Sequence, residues 1–178
     1  MTLFRARFCR SFWGPLQSLS TRVKRNDPIV FFFSGYSAKS DHGGGPPVGV
    51  ICPFDITTNG GISDKVLLQA FDLLSQSCGN NITVFLDCVG DCFNWDTPVS
   101  CAVIFPNKAA ENEEGGVFTS AIIKVVNTQV GQLQSITMTA EEFSERVQST
   151  IARDDVVVHC IGMNVDRPLF NSEAPQGH

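Results

Sequence analysis

Two continuous apolar runs, each followed at once by polar residues, dominate the hydrophobic pattern of this chain. Residues 82–86 (ITVFL) precede the segment 87–92, and residues 29–33 (IVFFF) precede the segment 34–37. Apolar runs of this length predict strands that are buried on both faces, as in a parallel sheet. Ligand sites in open α/β sheets lie just past the carboxyl ends of such strands. The two polar segments are therefore predicted to lie side by side and to form the site.

Helical spacing and turn signals predict the other elements. Thr139 with Glu142 three residues later is a capping box, which predicts a helix that continues to about residue 151. Gly14-Pro15 is expected to end any element, and residues 38–47 are expected to form a loop. The pattern predicts an α/β fold, a three-layer αβα sandwich with a mostly parallel sheet and helices on both faces. Further helices are predicted at residues 16–25 and from Ser63 or Asp64 to about 77, and further strands at 99–105 and 156–160.

Length and charge exclude several classes of protein. The 178 residues fit one domain, and a hydrophobic content of 43% is sufficient for a core. The net charge of −5 and the pI near 5.1 argue against a general nucleic-acid binder. No apolar run approaches the about 20 residues that a membrane span needs. The composition predicts no nucleic-acid partner and no membrane span.

The cysteines and the basic start bear on the compartment. The seven cysteines are scattered and form no Cys-x-x-Cys pair, which favours reduced, buried thiols in a cytoplasmic protein. Residues 1–26 contain six basic residues and no acidic one, together with several Ser and Thr. Such a segment resembles a mitochondrial presequence, which is the alternative to the cytoplasm. A remnant or replacement of domain sequence is the other explanation.

The residues at both predicted strand ends, 33–37 (FSGYS) and 86–90 (LDCVG), carry a resemblance. They resemble the caspase and metacaspase cysteine peptidases, and most closely the caspase-like domains common in fungi. Three further stretches resemble family motifs in matching order and spacing: 52–55 (CPFD), 116–119 (GVFT) and 162–170 (GMNVDRPLF). The resemblance of GVFT implies that a helix starts at about residue 117. The resemblance covers residues 16–171 as a partial caspase-like domain. It leaves an unassigned basic segment at 1–15 and a tail at 172–178.

The resemblance implies that both catalytic groups are missing. In the family, the first strand ends in Gly-His-Gly with the catalytic His, and the second ends in Asp-Cys-Cys-His-Ser-Gly or Asp-Ser-Cys-His-Ser-Gly, whose third residue is the nucleophile. The His position here is Tyr36, and the nucleophile position is Val89. A cysteine peptidase needs a thiolate and a nearby base, and Tyr is a poor base at pH 7. A family-type mechanism is therefore not expected.

Neighbouring residues offer weak substitutes. Cys88 or Cys92 with His42 is a conceivable pair, although strand alternation turns Cys88 to the other face. His159 lies in an apolar run and is expected to be a core histidine. Cys88 and Cys92 lack two further ligands at suitable spacing, so no metal and no other cofactor is predicted.

Two positions that help metacaspases bind a basic substrate side chain are retained. They correspond to Ser34 and Asp87, so the resemblance implies an acidic cleft that grips Arg or Lys without cutting. The alternative, which we favour, is that Asp87 only accepts backbone N–H bonds at the strand end.

Compared with the family pattern, a strand and a helix are missing before residue 29. Family domains begin with a long apolar strand and a helix, and nothing comparable precedes the run 29–33. This strand is therefore expected to be an exposed edge, a template for another chain. The first hypothesis is a pseudopeptidase that pairs with a protein partner, either an active caspase-like relative or a second copy of itself. The alternatives are residual cysteine endopeptidase activity after Arg or Lys, using Cys88 or Cys92, and an unstable gene fragment.

Overall fold

The computed structural model describes residues 2–5, 10–41, 47–88, 93, 99–108, 116–131 and 138–169. Within these ranges the chain forms eight strands and five helices. The strands are β1 Thr2–Arg5, β2 Ile29–Ser34, β3 Tyr36–Ser40, β4 Val48–Cys52, β5 Ile62–Ser63, β6 Ile82–Asp87, β7 Ala102–Pro106 and β8 Val158–Ile161. The helices are α1 Arg10–Arg22, α2 Ile56–Asn59, α3 Asp64–Cys78, α4 Val117–Gly131 and α5 Ala140–Ile151.

Two sheets are built from these strands. The main sheet has the order β1-β2-β6-β7-β8, in which the first four strands are parallel and β8 is antiparallel to β7. The smaller sheet, β3-β4-β5, is antiparallel. The α/β class with a mostly parallel main sheet is confirmed.

Helices cover both faces of the main sheet, as the three-layer prediction requires. Side chains of α1 and α3 pack on one face with Phe31 and Phe33 of β2. Side chains of α4 and α5 pack on the other face with Val30 and, partly buried, Phe32. The three consecutive Phe residues are therefore accommodated because β2 is covered on both sides, and burying each such side chain contributes about 1.5–3 kcal/mol. Phe31 meets Phe71 of α3 edge-on, with ring centroids 5.3 Å apart.

Local capping explains where two helices begin. The hydroxyl of Ser63 accepts a bond from the backbone N–H of Val66 at 3.3 Å, which starts α3. The Thr139 hydroxyl accepts from the Glu142 N–H at 3.1 Å, while the Glu142 carboxylate accepts from the Thr139 N–H at 2.9 Å. The predicted capping box is confirmed, and α5 ends at Ile151 as expected.

The prediction that β2 is an exposed edge is wrong. Residues 2–5 form β1, which pairs in parallel with β2 along Ile29 to Phe32. Four residues with only partial alternation carry a weak local signal, and pairing with β2 supplies the hydrogen bonds that this short strand could not make alone. The edge of the main sheet therefore lies at β1.

Two predicted breaks are also wrong. Helix α1 begins at Arg10 and runs through Gly14-Pro15, so the boundary drawn between residues 15 and 16 falls inside a helix. Pro15 removes a single backbone donor from the helix, and the helix is held to the core by the buried Leu16 and Leu19. The segment 38–47 is not all loop, because its first three residues belong to β3.

At the other edge of the main sheet, one side chain bonds two backbone groups where β8 begins. Val157 faces β7, since it exchanges bonds with Asn107, so Val156 and Val158 point their backbone groups outward. The Gln148 amide of α5 donates to the Val156 carbonyl at 2.9 Å and accepts from the Val158 N–H at 2.7 Å. Gln148 thus occupies the groups that another strand would use at this end of β8.

The pairing of β1 with β2 generates a test. In the double variant Leu3→Pro/Phe4→Pro, two adjacent residues lose their N–H, and one of them faces β2 because backbone donors alternate along a strand. We expect the uncovered edge of β2 to cause concentration-dependent self-association, measured by size-exclusion chromatography with light scattering. The matched variant Leu3→Ala/Phe4→Ala keeps both donors and should remain like the wild type. Equal behaviour of the two variants would count against the pairing.

Candidate active site

The carboxyl ends of β2 and β6 meet as predicted. The register pairs Ser34 with Asp87, the last residue of each strand. The Gly35 N–H then donates to the Asp87 carbonyl at 3.2 Å, which keeps the segments that follow the two strands together where they leave the sheet. The polar ends of both strands therefore share one corner of the main sheet.

Asp87 is the buried carboxylate of this corner, with 6% of its surface exposed. Its Oδ2 accepts a bond from the Ser34 hydroxyl at 3.5 Å and a short bond from the Thr119 hydroxyl. The favoured expectation of backbone N–H donors is wrong among the described residues, because the observed donors to this carboxylate are hydroxyls. No described Lys or Arg forms an ion pair with Asp87.

Thr119 is the functional candidate that sequence reasoning missed. It lies in the first turn of α4, 32 residues after Asp87, and it brings the start of that helix onto the strand end. Gly116 immediately precedes α4, and a Cβ at this position would overlap with Asp87 Oδ2. The only signal in the sequence is the GVFT string at 116–119, which predicts a helix start and does not indicate a contact with Asp87.

Of the two degenerate positions, only Tyr36 lies within the described residues. It opens β3, pairs with Cys52 of β4 and is 85% exposed. Val89 lies outside the described residues, as do the proposed substitutes His42 and Cys92. The structure therefore places Ser34, Asp87 and Tyr36 in this corner and gives no geometry for the remaining positions.

Cys88 is not available as a nucleophile in this structure. It has no exposed surface and packs in the core beneath α1 and α3, so its sulfur cannot meet a substrate. The described cysteines are all free thiols. Burial raises the pKa of Cys160 to about 11 and the pKa of Cys101 further still, which keeps both thiols protonated at neutral pH.

His159 departs from its prediction. It is exposed rather than part of the core, because it lies on β8 at the edge of the main sheet, and its ring stacks on Phe105 with centroids 5.3 Å apart. No group of three or more His, Cys, Asp or Glu side chains that could hold a metal occurs among the described residues. None of the helices within these ranges is long and apolar enough to cross a membrane.

Comparisons with known proteins support the α/β architecture and no more specific assignment. No protein-family model matches the chain, and a search of curated proteins finds no significant match. Among solved structures, the chain is similar to protein GSU0716 from Geobacter sulfurreducens, with a TM-score of 0.58 and 11% identity. The likeness covers 89% of this chain and 75% of that one. At this identity it supports the α/β architecture alone.

The two hydroxyl groups that donate to Asp87, from Ser34 and Thr119, should contribute unequally to the free energy of unfolding. Thr119→Val keeps the shape but removes a donor from a buried carboxylate, so we expect it to lower the free energy of unfolding by about 1–3 kcal/mol. Ser34→Ala removes a long bond at an exposed position and should cost less than about 1 kcal/mol. Urea unfolding of both variants measures the difference. A smaller loss for Thr119→Val than for Ser34→Ala would contradict the geometry.

Proposed function

We propose that this chain is a catalytically inactive caspase-like domain, a pseudopeptidase, that acts by binding a protein partner. The resemblance in the sequence supplies the family, and the corner formed by Ser34, Tyr36 and Asp87 supplies the surface. The observation that carries the proposal is the buried Asp87 carboxylate at the strand end, held by two hydroxyls without a cation among the described residues.

The lack of a nucleophile and a base argues for binding rather than cleavage. Tyr36 stands where a catalytic His is expected, Val89 stands where the nucleophile is expected, and Cys88 is enclosed by the core. The nucleophile and base of such peptidases act as a unit, and the loss of either removes most of the rate. Retention of the acidic corner without the catalytic pair fits a protein that grips a segment and releases it unchanged.

A basic side chain is the partner group that this corner suits best. Asp87 Oδ1 has no donor among the described residues, so the carboxylate can accept further bonds from a guanidinium or ammonium group. The exposed ring of Tyr36, two residues beyond Ser34, offers a face for a cation. We therefore propose an Arg- or Lys-containing segment of an active caspase-like relative or of a second copy as the ligand.

The edge of β2 does not provide the interface, because β1 covers it. Strand-end recognition therefore replaces edge pairing in the proposal. The free thiols of the described cysteines support a reducing compartment such as the cytoplasm as the proposed location.

Peptide binding tests the proposed role of Asp87. Fluorescence anisotropy should show that a peptide with a central Arg binds more tightly than the same peptide with citrulline, which keeps the shape and loses the charge. Asp87→Asn should reduce this preference by about tenfold, the loss expected for one charge-assisted contact. Asp41→Asn, at an exposed position elsewhere, is the matched control. Equal binding of both peptides to the wild type would refute the proposal.

Thiol labelling tests the absence of catalysis. A peptide with a thiol-reactive group and Arg at its end should leave Cys88 unlabelled in the native protein, because the core excludes it. Mass spectrometry after digestion locates any labelled cysteine, and labelling in urea serves as the positive control. Cleavage of an Arg peptide that Cys88→Ala or Cys92→Ala abolishes would establish the endopeptidase alternative instead.

A further inference from the structure

A groove between α4 and α5, on the far side of the main sheet from α1 and α3, carries positive charge. Its volume is about 310 Å³, and Lys124 from α4 and Arg146 from α5 line it. No acidic side chain is among the described residues that line it, although the chain as a whole has a net charge of −5. The groove is therefore a local exception to the charge of the protein, and anions are the ligands that it favours.

One mostly buried polar side chain lines this groove. Gln129 is only 9% exposed, and no hydrogen bond joins its amide to another described residue. The amide is not among the fully buried, unpaired groups of the described residues, so solvent reaches it from the groove. A ligand in the groove can replace this water, since the side chain offers both a donor and an acceptor.

The hydroxyl groups that line the groove can only accept hydrogen bonds from a ligand. Thr128 donates its proton to the Lys124 carbonyl at 2.9 Å, and Thr150 donates to the Arg146 carbonyl at 2.7 Å. Ser149 likewise donates to the Glu145 carbonyl at 2.9 Å. A hydroxyl has one proton, so these oxygens present only lone pairs to a ligand. They accept bonds from ligand hydroxyls and do not help to hold an anion.

We propose that the groove between α4 and α5 binds a phosphorylated polyol, a small molecule with one phosphate and several hydroxyls. Lys124 and Arg146 hold the phosphate, with Arg146 able to make two parallel bonds to its oxygens. The oxygens of Thr128, Ser149 and Thr150 accept from the ligand hydroxyls, and the Gln129 amide makes a further hydrogen bond to the ligand. A volume of 310 Å³ is at the lower end of ligand pockets, which suits a sugar phosphate. The site is separate from the Asp87 corner.

The test uses the full chain and three small molecules. Glucose 6-phosphate, glucose and inorganic phosphate are titrated separately while backbone amide shifts are followed by NMR. We expect glucose 6-phosphate to shift the amide signals of α4 and α5. It should bind about tenfold more tightly than glucose or inorganic phosphate, because it makes the phosphate contacts and the hydroxyl contacts at the same time. Absence of any shift in these helices would overturn the proposal. Equal affinity for inorganic phosphate and glucose 6-phosphate would overturn the polyol part.

Variants separate binding from folding. Lys124→Gln/Arg146→Gln should weaken glucose 6-phosphate binding by about tenfold or more, whereas Lys65→Gln, on the exposed side of α3, should not change it. Gln129→Leu should weaken glucose 6-phosphate binding and leave the midpoint of urea unfolding unchanged or higher, because the substitution breaks no hydrogen bond to another described residue. A Gln129→Leu variant that is destabilised and binds normally would contradict the role given to this residue.

Discussion

The parallel pairing of β2 with β6 is the constraint on which the rest of the molecule depends. Both strands are apolar on both faces, so they must lie inside a sheet that helices cover from two sides. Because side chains alternate along a strand, a shift of one residue in register would exchange the sets of side chains that pack against the two helical layers. The register that satisfies burial also sets Ser34 against Asp87. Core packing thereby positions the polar corner.

The Asp87 carboxylate then links this corner to helix α4. Removing a carboxylate from water is costly unless hydrogen bonds replace the lost solvent. Thr119 supplies one of these bonds from the first turn of α4, and Gly116 allows the chain to pass close to the carboxylate. The same helix contributes Lys124 and Gln129 to the groove that it forms with α5. One helix therefore borders both proposed sites, at its start and in its second half.

The two edges of the main sheet differ in the groups that lie next to their outer strands. At one end the parallel strand β1 extends the sheet by four residues and covers β2. At the other end the Gln148 amide takes the place of a neighbouring strand for two backbone groups of β8. Unpaired edges invite association with other chains. Two backbone groups at the β8 edge are thus bonded within the protein, whereas β1 is the outermost strand at the other edge.

Elements whose signals are local can be predicted from the amino-acid sequence. Apolar runs predicted β2 and β6, and Thr139 with Glu142 predicted the start of α5, because burial on both faces and helix capping each leave a pattern within a few residues. The α/β class and the meeting of Ser34 with Asp87 followed from these runs. Only the tertiary structure decided that residues 2–5 pair with β2, since strand pairing depends on a partner far away in the chain.

Tertiary packing likewise decided that α1 continues through Gly14-Pro15, where buried Leu16 and Leu19 outweigh local breakers. It decided that His159 is exposed, because its strand lies at an edge. Packing also makes Thr119 a hydrogen-bond donor to Asp87. Because Thr119 is 32 residues away in the chain, no pattern near Asp87 in the sequence indicates this contact. Contacts of this kind exist only once the helix and strand have packed together, and this is the physical reason why the sequence pattern alone could not reveal them.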